Sequence, residues 1–186
     1  DLTNSYVNTA AEFAADENLS LYINTDDGVT LNGISNVVTA DIVASNGVIH
    51  TVDAVIDLPT VVTFAVADPT FDSLQAALTA EGQPDFVTTL SGAGPFTVFA
   101  PTNDAFQALL DSNDMWNGLA DIDGGLLTSV LQHHVVSGAN VRSGDLSDGA
   151  TAPTLEGDDI TINLPGTGEN IADITDGAGN TGIGII

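Results

Sequence analysis

The sequence predicts an α+β fold, and three observations carry that expectation. Alternating apolar and polar residues of β type fill residues 19–56 and return at Ile160-Thr161-Ile162-Asn163-Leu164. The stretch between them carries apolar residues at helical spacing. Residues 94–106 join the two textures: Thr97, Val98 and Phe99 favour an extended strand, Pro101 stops it, and Thr102 or Asn103 caps a helix with Phe106, Leu109 and Leu110 on one face.

In chain order, Val7, Ala10, Ala11, Phe13 and Ala14 form a weak amphipathic pattern that reads as a short helix or ordered lead-in over residues 1–16. Leu19-Ser20-Leu21-Tyr22-Ile23 alternates as a strand, and Asp26-Asp27-Gly28 is a turn. Val29-Thr30-Leu31 follows, then a turn at Asn32-Gly33 and a strand over residues 34–44. Ser45-Asn46-Gly47 turns into a last strand over residues 48–56.

Residues 60–67 read as a linker or first helix, and Asp68-Pro69 as a helix start whose buried face carries Phe71, Leu74 and Leu78. Phe86, Val87 and Leu90 predict another helix before the strand at Thr97. An acidic, glycine-bearing connector over residues 111–125 holds the single Trp116. Residues 126–134 then read as a helix running into a strand at Val135-Val136. Residues 146–159 read as loop, and the last apolar alternations fall at Ala172-Asp173-Ile174 and residues 182–186.

The run Thr97-x-Phe99-Ala100-Pro101-Thr102-Asn103-Asp104-Ala105-Phe106, with the leucine-rich helix ending at His133-His134-Val135-Val136, resembles the two signature motifs of the fasciclin domain, an extracellular adhesion and matrix module. The second motif keeps His134 and puts His133 where the family usually has Tyr. Residues 45–59 resemble that domain's closing strand, with Asn46, Gly47, Ile49, His50 and Asp53 at the pattern positions. The resemblance implies a β-sandwich or wedge with helices packed at one side. It also implies a layout: residues 1–59 as the C-terminal β-rich part of one repeat, and residues 60–186 as the next domain without its own final strand. The match of Leu21-Tyr22-Ile23-Asn24 to Ile160-Thr161-Ile162-Asn163 supports two versions of one element.

A sheet without its closing strand exposes unpaired backbone groups. Two expectations follow. The sequence, beginning at Asp1, is a processed or trimmed window of a longer tandem-repeat protein, or residues 45–56 complete the open sheet. The second case works within one chain, as a circular permutation, or between chains, as strand donation leading to a homo-oligomer or head-to-tail polymer.

Charge narrows the partners. Twenty-six acidic residues stand against one base, Arg142, for a formal net charge of −25. Such a surface repels nucleic acid phosphates and anionic lipid, and suits a halophilic, marine or extracellular setting. No apolar run approaches a membrane span, and the absence of cysteine removes disulfides and thiolate metal sites.

The resemblance implies that Asp104 and His134 are a structural pair tying the two motifs together, with Phe99, Pro101, Thr102, Asn103 and Phe106 as signature positions. The competing reading is a hydrolase in which His134 activates Thr102 or Ser129, without a recognisable nucleophile elbow in support. His133 and His134 point about 100° apart on a helix and make a poor chelate. Asp111, Asn113, Asp121 and Asp123, like Asp26-Asp27-Gly28, lie in oxygen-rich loops that suit weak calcium binding, yet none matches a calcium-loop pattern and Asx-Gly runs ordinarily make turns. The expected function is a non-enzymatic, cofactor-free adhesion, matrix or cell-surface module that contacts protein or glycan outside the cell.

Overall fold

The structure, a computed structural model, describes residues 3–14, 17–181 and 183–186. The chain forms two compact units, Asp1–Gln75 and Ala76–Ile186.

The first unit is a five-stranded antiparallel meander in sequential order: β1 (Ser5–Ala14), β2 (Glu17–Asn24), β3 (Thr30–Leu31), β4 (Ser35–Ala44) and β5 (Gly47–Val52). The helix or lead-in expected over residues 1–16 is corrected to a strand, the part at residues 1, 2, 15 and 16 lying outside the described residues. β1 pairs with β2 from Ser5↔Ile23 onward, with register breaks after Asn8 and Glu12. Those breaks scramble the alternation that would have announced a strand. β5 stops at Val52, four residues short of the expected end, because the Asp53 carboxylate turns back to accept from the Asn36 amide at 2.7 Å and from Asn36 Nδ2 at 2.9 Å.

The β2–β4 corner is built from polar groups. Tyr22 and Asn32 exchange two bonds, Asn32 N donating to the Tyr22 carbonyl at 2.9 Å and Tyr22 N to Asn32 Oδ1 at 2.8 Å. Gly33 has φ +70, and a Cβ there would stand 3.0 Å from that of Ala67, so both the turn and the close approach require glycine. Ala67 ends α1 (Val61–Ala67), which Thr60 opens with a reciprocal capping box to Thr63.

Asp68 starts a short 3-10 turn over Pro69–Phe71 by accepting from Thr70 N at 3.0 Å, and α2 (Asp72–Leu78) continues from it across the division between the units. Tyr6 Oη donates to Asp68 at 2.8 Å, while the Tyr6 ring packs 4.8 Å from that of Tyr22 and edge-on, at 5.4 Å, to Phe64.

In the second unit, α3 (Phe86–Ser91) buries Phe86 and Leu90, with Asp85 as its cap. β6 (Phe96–Val98) leads into α4 (Asn103–Asp111), which Thr102 caps and Phe106 anchors. α5 (Gly124–His133) buries Leu127 and Leu131 and runs into β7 (Val135–Ser137). A four-stranded antiparallel sheet follows, formed by β8 (Thr151–Pro153), β9 (Asp159–Asn163), β10 (Ala172–Thr175) and β11 (Ile183–Ile185) in the order β11-β10-β9-β8.

The loop expected over residues 146–159 thus contains a strand, β8, whose proline sits at its end on the sheet edge, where no ladder donor is needed. Val136, Ile160, Ile162, Ala172 and Ile174 form the core, with Phe99, Leu146 and Leu164 packed against it. Trp116 is half-buried and belongs to this unit, whereas Tyr6 and Tyr22 belong to the first.

Candidate contact surface and the cleft beside the paired histidines

The two signature segments meet through their backbones. Phe96↔Ser137, Thr97↔Val136 and Val98↔Val135 pair, and Phe99 N donates to the His134 carbonyl at 2.9 Å. Pro101 interrupts the strand, and the Thr102 hydroxyl takes the Ala105 amide at 3.3 Å, so Thr102 rather than Asn103 is the cap. Asn103 opens the helix, and Phe106, 3 % exposed, is its buried anchor.

Asp104 stands exposed in the first turn of α4. His134 closes α5, and its Nδ1 lies 2.7 Å from the Val130 carbonyl one turn earlier. Burial pushes the His134 imidazole below its ordinary pKa, the Val130 carbonyl bond opposes that shift, and the charge of His133 adds to it. A neutral ring donating Nδ1–H to Val130 fits all three influences. The motifs are therefore tied by the β6–β7 strand pairing and the Phe99 N–His134 carbonyl bond, while the His134 ring engages Val130 of its own helix rather than the expected Asp104. Of the two hydroxyls in the hydrolase reading, Thr102 is engaged as a helix cap, whereas Ser129 lines the same cleft as His134.

The closing-strand residues lie in the first unit's own sheet. β5 pairs with β4 through Ala44↔Gly47, Val43↔Val48 and Ile42↔Ile49, while β11 pairs with β10. The expected completion of the second sheet by residues 45–56 of the same chain is thus not the arrangement adopted. Asn46 makes the turn, His50 Nδ1 accepts from Asp41 N at 3.2 Å, and Asp53 fastens the ribbon's base to Asn36. Bonds from the Asn36 side chain and backbone hold the Asp53 carboxyl below the usual carboxylate range.

Along this ribbon Val38, Ile42, Val43, Val48 and Ile49 are all exposed, Val43 at 80 %. A two-stranded ribbon this apolar and this open is a candidate contact surface.

The calcium candidates have local tasks. Asp111 accepts from Gln107 Nε2, Asn113 from Met115 N, Asp121 from Asn117 N and Gly118 N, and Asp123 caps α5 at Leu126 N. Among the described residues, no group of three or more His, Cys, Asp or Glu is placed to hold a metal ion. No helix among them is long and apolar enough to cross a membrane.

A cleft of about 370 Å³ beside α5 was not legible in the sequence. His133 and His134 line it together with Glu156, Asp158 and Asp176, residues far apart in the chain that the β8–β10 turns gather.

The sequence model of the fasciclin domain matches residues 1–59 and 69–181, nearly the whole chain. The chain belongs to the fasciclin domain family. It is similar to protein sll1483 of Synechocystis, 38 % identical over 109 residues, which are 56 % of this chain and 55 % of that protein. It is also similar to the cell surface glycolipoprotein MPB83 of Mycobacterium bovis, 39 % identical over 55 % of this chain and 44 % of that one. Rat stabilin-2 aligns over 93 % of the chain at 28 % identity, yet over only 13 % of its own length. The fasciclin match thus covers about half, or far less, of the length of these relatives. The α+β architecture found here is that of a fasciclin fold.

Proposed function

We propose that this chain is a non-enzymatic adhesion module of the cell surface or extracellular matrix, and that it grips protein partners through the β4–β5 ribbon. The observation that carries this reading is the row of exposed Val38, Ile42, Val43, Val48 and Ile49 on a strand pair. Family membership and the cell-surface description of MPB83 support the setting. An apolar ribbon suits a protein surface better than a glycan, whose recognition needs many polar partners.

The test is cell attachment to plates coated with the chain or with its Val43→Asp/Ile49→Asp variant. Attachment should drop severalfold for the variant while its circular dichroism stays unchanged. Undiminished attachment overturns the reading. No cofactor takes part: calcium at Asp111, Asn113, Asp121 or Asp123 acts only as a loose counterion, so a chelator at fixed ionic strength should leave attachment and the melting midpoint in place.

A second reading is self-assembly into a homo-oligomer or head-to-tail filament. It is favoured by β5 and β11 both lying at sheet edges, where backbone groups are open to another strand. Sedimentation velocity across a concentration series separates the two: a polymer that disappears on deleting residues 45–56 supports assembly, and a monomer at every concentration ends it.

A further inference from the structure

Asparagine followed by glycine is the step at which a polypeptide most readily alters itself, because glycine has no side chain to hinder its own amide nitrogen. The chain has three such steps, Asn32-Gly33, Asn46-Gly47 and Asn117-Gly118. The fold protects two of them and leaves the third open.

Asn32 is 2 % exposed, its Oδ1 accepts from Tyr22 N at 2.8 Å, and its own N donates to the Tyr22 carbonyl at 2.9 Å. Gly33 lies so close to Ala67 that the backbone there has no room to turn. The side chain and the following nitrogen are thus held apart. Asn117 is exposed, but Gly118 N donates to Asp121 Oδ2 at 3.1 Å, and Asn117 N donates to the same oxygen at 2.7 Å. The Asp121 carboxylate therefore occupies the nitrogen that would have to attack.

Asn46 stands at the free end of the β4–β5 ribbon, in the short turn between the paired Ala44 and Gly47. Asn46 and Gly47 are both exposed, and the Asn46 side-chain amide has no hydrogen-bond partner among the described residues. A Cβ added at Gly47 would meet nothing within 4 Å, so the space around this step is open. Ala44↔Gly47 is the terminal pair of its ladder. A terminal pair opens at the lowest cost in a ribbon, and each opening frees Gly47 N.

We propose that Asn46 is a site of spontaneous self-modification, at which Gly47 N attacks the side-chain amide and turns Asn46 into aspartate or isoaspartate. The bond from Gly47 N to Asn46 Cγ forms, the Cγ–Nδ2 bond breaks, and ammonia leaves with the Gly47 amide proton. Water then opens the cyclic imide at either of its carbonyls, which gives the two products. Both place a negative charge beside the Val43↔Val48 pair, and isoaspartate also lengthens the main chain of the turn. The consequence rests on the ribbon being the contact surface proposed above: a charge added to that apolar row weakens adhesion as the molecule ages.

The test is incubation of the full chain at mildly alkaline pH, read by peptide mapping in a mass spectrometer and by an isoaspartate methyltransferase assay. In buffer, Asn46 should convert about tenfold faster than Asn32 or Asn117, because the ribbon tip opens at lower cost than either of the other steps. In urea the three steps should convert at similar rates, which shows that the fold sets the order. Asn46→Gln, whose longer side chain closes a ring far more slowly, and Gly47→Ala, for which there is room, should each leave the turn unmodified. Conversion of Asn32 or Asn117 ahead of Asn46 in the folded chain would overturn the proposal, as would an intact Asn46 once the urea-treated sample has converted. Cell attachment to aged chain and to aged Asn46→Gln reads the consequence separately. Conversion at Asn46 without lost attachment supports the modification site and overturns the ribbon as contact surface.

Discussion

The sheets β1–β5 and β8–β11 share an antiparallel meander, and Leu21–Asn24 and Ile160–Asn163 occupy corresponding strands within them. Their surroundings differ. In the second sheet Ile160, Ile162, Ala172 and Ile174 are buried together with Val136 of β7. In the first, burial centres on Tyr22, Asn32 and Ser35, and the branched residues of β4 and β5 face outward. Strand chemistry alone therefore does not fix whether an apolar residue is core or contact surface. What lies over the strand decides that: the second sheet has Phe99 and β7 against it, and the ribbon has no such cover among the described residues of its unit.

Substitutions can break this contrast. The largest effect is expected at Ile160, which is 2 % exposed: Ile160→Ala should cost about 3 kcal/mol by removing buried methyl groups from a packed cluster, measured by denaturant unfolding. His134→Ala should cost about 1 kcal/mol, because it leaves the partly buried Val130 carbonyl without its donor. It should also change the pH profile. The folded-state pKa of His134 lies below its ordinary value, so between the two the unfolded chain binds more protons than the folded one. Its contribution is therefore full above about pH 6.5 and is lost as pH falls toward the folded value. The variant should lack that slope.

Tyr6→Phe should cost about 1 kcal/mol by removing the bond to Asp68. Burial acts to raise the Asp68 carboxyl, but bonds from Thr70 and Tyr6 prevail and hold it low, so its contribution survives to lower pH than that of His134. The smallest effect belongs to the ribbon: Val43→Thr should shift stability by no more than about 0.5 kcal/mol while reducing attachment. A loss comparable to that at Ile160 would mean the ribbon is buried in solution and the contrast is false.

How much of this was legible follows from where the signals lie. Residues 19–23 and 160–164 carry the alternation of a half-buried strand, so their strands could be read directly. Thr102 before a spaced Phe106-Leu109-Leu110 marks α4 by local chemistry alone. Ala10, Ala11 and Ala14 favour a helix by propensity, but pairing with β2 overrides it, and the bulges erase the period that would have shown this. β8 is three residues with a proline, too short to carry a pattern. In the site, His134 was visible as a motif position, but its partner was not, because a backbone carbonyl leaves no mark in sequence. The cleft was invisible for a related reason: Glu156, Asp158 and Asp176 become neighbours of His133 only once the second sheet has folded.

The placement of the aromatic chromophores gives each unit its own optical signature. Both tyrosines lie in the first unit and the single tryptophan in the second. Red-edge excitation thus follows Trp116 alone, while difference absorbance of the phenols follows Tyr6 and Tyr22. One unlabelled sample, melted once, can show whether the two halves let go together or in turn.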